Sequence, residues 1–547
     1  MAAGAAAARS RGRGRRTWLS LLASLGGLGL GGVAAGGEGF AQATALSART
    51  LLLAPPFVVP NGPSGQPSIS ADGRYVAFSS SATNLTGAAG GVGAGHGATE
   101  EVFVADDAAQ KVTLVSATAA GLAGSGPSSA PSISGDGNTV AFVSTASNLV
   151  GGVAKGVENI YVVTAGGPPR LVSVGVGGSA TDGNSYQPAI SGDGHSVVFT
   201  STSDNLIAGD DNAKPDVFVR SLETGITRRV SVASHGGQAN GPSSNGALSG
   251  DGRFVTFAST SSNLLGRRRV SGEEVYVHDV ASNLTNVISV SSAGGLQNAA
   301  VSAPFTQVSS ISGNGRYVAF DSDATNLVRR GANGHTNVYL RDRTLRRTIL
   351  ASASSTGAAG DNDSFAPAIS ADGHFVVFDS LADDLAPEAA AGSNVYLRDV
   401  GQATTTTIDV SADSRMRAPE LGSSLLQQPV VSANGRFAAF ASGAENLVGS
   451  LSNGVENLYV RAVAAPNTIA ETLPPAVSGA RPRVVFRADD RFASFGLCQV
   501  DRVRLICPSG GYRLPALKKG VHRLSVAAGG AGMLFDPTPI VTRFRVR

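Results

Sequence analysis

A seven-bladed β-propeller closed by an N-terminal strand and followed by a small β-sandwich, an all-β class, is the fold that the sequence predicts. Three observations predict it. A turn signature recurs seven times, its spacing is nearly constant, and the composition changes after the last copy. The first copy reads Gln66-Pro67-Ser68-Ile69-Ser70-Ala71-Asp72-Gly73-Arg74-Tyr75-Val76-Ala77-Phe78. Each copy sets Asp-Gly or Asn-Gly between a short apolar run and a second run ending in Phe, the strongest short-range signal for a tight hairpin. The turn glycines Gly73, Gly137, Gly194, Gly252, Gly315, Gly373 and Gly435 lie 57 to 64 residues apart, and a fixed period of that size marks a repeat architecture.

The whole chain sets the bounds for these repeats. Its 547 residues, 42% of them hydrophobic, can bury a large core spread over more than one domain. Seventy glycines against two cysteines suit many short strands joined by turns.

Residues 1–43 read as an export signal outside the fold. Arg9, Arg11, Arg13, Arg15 and Arg16 precede an apolar run from Trp18 to about Ala35, and Ala41-Gln42-Ala43 offers a small-residue cleavage site. Arg15-Arg16-Thr17-Trp18-Leu19 is similar to the twin-arginine motif, with general secretion as the other route. Removing residues 1–43 takes five arginines and Glu38, so the formal charge moves from +3 to −1 (3 − 5 + 1). The mature chain then carries no global basic field, and a nucleic-acid partner is not expected. Nor is it expected to span a membrane, because the Gly-rich apolar run leaves with the signal.

Within each period the elements follow in a set order. After the hairpin, Asn-Leu pairs such as Asn84-Leu85, Asn148-Leu149 and Asn263-Leu264 close the second strand, with Asp384-Leu385 as a variant. A β-branched and aromatic third run follows, as in Val102-Phe103-Val104 and Val338-Tyr339-Leu340, and then a fourth such as Arg229-Val230-Ser231-Val232. Four antiparallel strands per period, repeated seven times, define the seven blades over residues 49–465. The seventh copy lacks its fourth strand, whereas Arg49-Thr50-Leu51-Leu52-Leu53 precedes the first copy as an orphan. That strand is expected to complete the last blade and so remove an exposed sheet edge.

The x-P-S-I-S-x-D-G-R-Y-V-A-F pattern resembles the TolB-type propeller repeat of bacterial envelope proteins, a WD-like repeat, although these periods are longer and so are their loops. Strand alternation puts the short turns on one face and the long connections on the other. Gly87 to Glu100, Gly121 to Ser129, Gly175 to Tyr186 and Ser291 to Val308 crowd that second rim, where binding usually sits.

After a Pro-rich linker, residues 466–478, arginines crowd the chain from Arg481 to Arg504. Cys498 and Cys507 are the only cysteines, and an even count in an exported chain suggests a disulfide, a reactive thiol pair being the alternative. The stretches Leu497-Cys498-Gln499-Val500-Asp501, Leu517-Lys518-Lys519-Gly520-Val521-His522 and Asp536-Pro537-Thr538-Pro539 resemble a small bacterial immunoglobulin-like domain over residues 479–547. Arg502 stands where that pattern has Gly.

Asp72, Asp136, Asp193, Asp251 and Asp372 suggest an acidic ring, but the turn itself explains them: Asp and Asn accept local backbone bonds, and Asn314 and Asn434 substitute for Asp. Asp210, Asn212 and Asp216 are the candidate metal ligands, their oxygens suited to calcium, which is the one candidate cofactor. No Gly-x-Ser-x-Gly elbow occurs, and the histidines are scattered. The expectation is therefore a secreted, periplasmic or cell-surface protein that is monomeric, non-enzymatic and binds an envelope or extracellular protein through the long-loop face. The alternative is a propeller that binds or cleaves polysaccharide, with Asp210, Asp361 or Asp363 near its mouth. Convergent Asp, Glu and His side chains at the central channel favour the enzyme; a small neutral lining favours binding.

Overall fold

The computed structural model describes residues 50–53, 58–86, 99–234, 236–266, 272–298, 308–329, 333–389, 392–410, 428–444, 447–448, 453–464, 468–474, 477–479, 481–488, 495–508, 511–529 and 540–547. The export-signal segment lies outside them, as do most of Gly87 to Glu100 and half of Ser291 to Val308. No helix among the described residues is long and apolar enough to cross a membrane.

The repeats form four-stranded antiparallel sheets in sequential strand order. The first consists of Ser64–Ile69, Tyr75–Ser80, Glu101–Asp106 and Lys111–Leu114. Its middle strands are apolar on both faces because a neighbouring sheet packs on each side: Val76, Ala77 and Phe78 are all fully buried. Phe78 stacks on Phe103 of the third strand at 5.7 Å, and the equivalent pair recurs from Phe142–Tyr161 to Phe440–Tyr459.

The turn signature works as a closed set of local bonds. Ser70 Oγ donates to Asp72 Oδ1, which also accepts from Arg74 N, and Tyr75 N donates back to Ser70 Oγ. The same set forms around Asp136, Asp193, Asp251, Asn314, Asp372 and Asn434. These residues serve the hairpin. At Gly73 the reason for glycine is double: φ is +78°, and a Cβ would come within 2.3 Å of Phe437 in the adjoining sheet.

Neighbouring hairpins are also joined to each other. Ala71 N donates to Gly135 O, Gly135 N to Gly192 O, Asp193 N to Gly250 O, and so on through Gly313, Ala371 and Ala433 until Asn434 N donates to Ala71 O. The hairpin turns therefore share one face, which puts the second-to-third and fourth-to-first connections on the other.

A second staple sits on the outer strands. Ser116 Oγ accepts from Val102 N and donates to Glu101, and Ser173, Ser231, Ser289 and Ser352 hold the same position. In the sheet of Ser364–Ile369 that position belongs to the buried Asp409.

The strands Val430–Val431, Phe437–Ser442 and Asn457–Ala462 receive their fourth member from the start of the chain. Thr50–Leu52 pairs antiparallel with Asn457–Ala462, Thr50 opposite Arg461. Leu53, buried, donates its N–H to Leu458 O.

The last part of the chain forms two sheets around one core. Thr468–Thr472, Arg483–Ala488 and Tyr512–Arg513 make the smaller. Val477–Ser478, Ile540–Val546, Gly520–Gly529, Phe495–Val500 and Val503–Pro508 make the larger. Segments of the Pro-rich stretch thus take part in both sheets. Val484, Phe486, Leu524, Val526 and Phe544 fill the space between the sheets, and a disulfide joins the buried Cys498 and Cys507.

Candidate functional site

The two faces defined by the strand order differ in charge. On the hairpin face, basic and acidic groups are matched: Arg74 pairs with Asp106, Arg253 with Asp279 and Arg316 with Asp342, all at 2.7 to 2.8 Å. The guanidinium hydrogen bond holds Asp106 and Asp279 below the usual carboxylate range.

On the long-loop face, carboxylates outnumber cations among the described residues. Asp182, Asp204, Asp211, Asp361, Asp383 and Glu388 are exposed there, with Lys155, Lys214 and Arg329 as the nearest balance. Strand alternation predicts that these connections share a face; the acidic grouping itself comes from residues scattered along the chain.

The loops that carry these groups are held by their own side chains. The described Asn residues of the Asn-Leu pairs bond the incoming connection: Asn84 Oδ1 accepts from Asn61 N and its Nδ2 donates to Val59 O, and Asn263 and Asn326 repeat the pattern. The following Leu is buried in every described case, from Leu85 to Leu447. Asp182 accepts from Ser203 Oγ and Asp204 N, and Asp384 accepts from Asp361 N. A rim built this way presents its charges from fixed positions.

The structure brings Asp210, Asn212 and Asp216 together, but around an arginine. Arg229 Nη1 lies 2.8 Å from Asp210 Oδ1 and 3.5 Å from Asp216 Oδ2. Gln238 Nε2 donates to Asp210, and Asn212 turns its amide N–H toward Asp216 while its Oδ1 accepts from Lys214 N. Ser231 Oγ donates to the other oxygen of Asp216. Burial pushes the Asp210 carboxyl up to about 6 against the pull of Arg229, and burial likewise raises Asp216. The guanidinium stands where a cation would, and donor groups rather than oxygens complete the surroundings, so these side chains fit an internal ion-pair network better than a calcium cage. Among the described residues no group of three or more His, Cys, Asp or Glu is arranged to hold a metal.

Asp361 and Asp363 do not converge with Asp210. Asp363 Oδ1 accepts from Thr336 N and lies 3.4 Å from His335 Nδ1, which makes it a loop clamp. The His374 ring lies 3.0 Å from the turn residue Asp372.

Toward the centre, the first strands of successive sheets lie side by side and bond to one another. Ala130 N donates to Gln66 Oε1, Ile133 N to Ser68 Oγ, Ile190 N to Ser132 Oγ and Asn245 N to Gln187 Oε1. Five of these strands have a bulge at a residue of positive φ, Gln66, Ala130, Gln187, Asn245 and Ala366, which turns the amide of Gln66 and Gln187 toward the neighbouring sheet. These positions are small or neutral.

Buried carboxylates, Asp321 and Asp379 at one repeat position among them, are not evident from the sequence. Asp321 occupies the place of Ser79 and Thr200 in their sheets, accepts from Val308 N and Ala366 N, and is pushed up to about 7 by burial. Its only sequence signal is the Asp in Tyr317-Val318-Ala319-Phe320-Asp321-Ser322, which the buried Asp379 repeats in the next copy, whereas the remaining copies carry Ser, Thr, Val or Ala.

No family model matches the chain, and no curated protein matches it by sequence. Solved structures are similar to it at low identity. An oligogalacturonate lyase from Vibrio parahaemolyticus is 11% identical over 76% of this chain and 97% of that one, with a TM-score of 0.43. A putative TolB from Agrobacterium tumefaciens is 16% identical over 62% and 91%, with a TM-score of 0.33, and TolB from Acinetobacter baumannii is 13% identical over 73% and 80%, with a TM-score of 0.35. The likeness is one of architecture alone, four-stranded antiparallel sheets following one another along the chain, and no substrate or partner follows from these neighbours.

Proposed function

We propose that the chain is an exported, non-enzymatic binding or scaffold protein of the cell envelope or exterior, acting through the long-loop face of a seven-bladed propeller. In this reading Thr50–Leu52 closes the ring, residues 1–43 direct export, and the immunoglobulin-like sandwich extends from the propeller. The observation that carries it is the acidic, stapled rim, whose carboxylates are spaced around exposed loops instead of gathered with a base or nucleophile at the axis. Such a surface suits a partner protein with a basic patch, because fixed charges of one sign steer and select an oppositely charged partner.

The test is affinity capture from the envelope fraction of the producing cells. Wild-type protein is compared with a variant carrying Asp204→Lys, Asp211→Lys and Glu388→Lys. Recovery of a partner by the wild type alone, lost as salt rises, supports the reading. Equal recovery by both proteins removes the rim from the function, and turnover of a polysaccharide by the purified protein overturns the non-enzymatic assignment.

A further inference from the structure

The charge of the chain is divided unevenly along its length. Residues 468–547 hold thirteen Lys and Arg against five Asp and Glu, a formal +8 (13 − 5). Residues 44–467 hold twenty-five against thirty-four, a formal −9 (25 − 34). The larger C-terminal sheet directs part of that positive charge onto one surface. In the pairing of Gly520–Gly529 with Ile540–Val546, Leu524, Val526, Phe544 and Val546 point into the core. The alternate residues Val521, Arg523, Val541, Arg543 and Arg545 therefore face outward.

On that outer face Arg523 stands directly opposite Arg543, and Val521 opposite Arg545. Like charges directly opposed weaken a sheet, and nothing among the described residues accounts for this pairing. The nearest carboxylate along the neighbouring turn, Asp501, is committed elsewhere: Oδ2 to His522 Nδ1 and Oδ1 to Arg523 N. The same face carries exposed aliphatics, Val521 at 61% and Val541 at 45% beside the arginines and, further across the sheet on the strand Val503–Pro508, Ile506 at 60%.

We propose that this face docks onto a lipid bilayer bearing anionic headgroups. The guanidiniums supply bidentate donors for lipid phosphates, and the aliphatics of the same face enter the headgroup boundary. A soluble polyanion would use the arginines and leave the three aliphatics in water, which is why the bilayer is the favoured occupant. The proposal adds an anchor to the chain and stands apart from the reading of the propeller rim.

The experiment uses the compact unit Ala45–Arg547, because the apolar run before it would itself enter lipid. Flotation is measured with phosphatidylcholine vesicles and with vesicles containing about one third phosphatidylglycerol. Binding is expected only to the anionic vesicles and should fall as salt shortens the screening length. Each surface arginine contributes about 1 kcal/mol, about fivefold, so Arg523→Gln with Arg543→Gln lowers the partition coefficient roughly 25-fold. Val521→Ser, an exposed change that leaves the core intact, lowers it with all charges kept. Equal binding to both vesicle types, binding to neither, or unchanged binding by both variants overturns the proposal. Salt-sensitive self-association without vesicle binding also overturns it, and assigns the basic face to the acidic loops of a second copy.

Discussion

At Gly73 and Gly121 the same backbone requirement meets different surroundings, which separates two contributions to glycine's role. Both have φ of +78°, but a Cβ at Gly73 would meet Phe437 at 2.3 Å, while at Gly121 it would meet nothing within 4 Å. Gly121→Ala is expected to cost about 1 kcal/mol for the left-handed backbone alone. Gly73→Ala adds overpacking of about 1–3 kcal/mol. Thermal melts of the two variants check this, and equal losses would mean that Phe437 gives way freely. Arg229 is a similar single point of control. With Asp210 and Asp216 buried around it, Arg229→Ala leaves uncompensated carboxylates and should cost about 3–5 kcal/mol. Because the guanidinium already occupies the space between the two carboxylates, melting of the wild type should not change with calcium or chelator; a calcium-induced rise lost in Asp210→Ala would revive the metal site. Asp321 makes stability depend on pH. Burial raises its carboxyl to about 7, above its unfolded value, so the folded chain holds that proton more tightly. Its contribution is complete below about pH 4 and is lost as pH rises through about 7. Asp321→Asn should therefore shrink the fall in melting temperature between about pH 5 and about pH 8. It should not abolish that fall, because burial also pushes Glu101 and Asp409 up to about 7.

Among the elements, the pair of strands Gly520–Gly529 and Ile540–Val546 offers a test of conflict between stability and binding. Arg543→Glu replaces a repulsive cross-strand pair with an attractive one, and should stabilise the C-terminal sheets by about 0.2–1 kcal/mol. A neutral or destabilising result in a denaturant titration would show that Arg523 and Arg543 already avoid each other by rotamer choice. The elements also show what could be read in the sequence. The hairpins were legible because Ser70, Asp72, Gly73 and Arg74 satisfy one another within five residues, and repetition multiplied the signal. The serine staple was not, since Ser116 and Glu101 are joined across a strand pair and no local rule links them. The Asp210 cluster was half legible: the loop residues do meet, but their counter-ion comes from the next strand, where Arg229 looked like an ordinary fourth-strand residue. The acidic rim was legible in part, since strand alternation puts the long connections with Asp210, Asp361 and Asp363 on one face, whereas Arg523 opposite Arg543 depended on register, which is settled by pairing across the fold.

For the molecule as a whole, stability depends on a strand that comes from the far end of the sequence. The sheet of Phe437–Ser442 and Asn457–Ala462 would have a bare edge without Thr50–Leu52, and its third strand is fully buried along its length. The same junction is tied a second time where Ser64 N donates to Glu456 O, and a third time where Asn434 N donates to Ala71 O. Deleting residues 45–53 keeps the second and third ties and removes the first. It uncovers the Asn457–Ala462 edge and takes away Leu53, whose full burial alone is worth about 1.5–3 kcal/mol. The lost ladder bonds add about 0.5–1.5 kcal/mol each. A two-part outcome is expected. The melting temperature falls, and the truncated chain self-associates in sedimentation velocity, because an uncovered strand edge offers its N–H and C=O groups to another chain. Adding a synthetic peptide of residues 45–53 should restore both properties by pairing with the vacant edge. A truncated chain that melts like the full one and stays monomeric would mean that the two remaining ties are enough to hold the sheets together, and that the N-terminal strand has some other role.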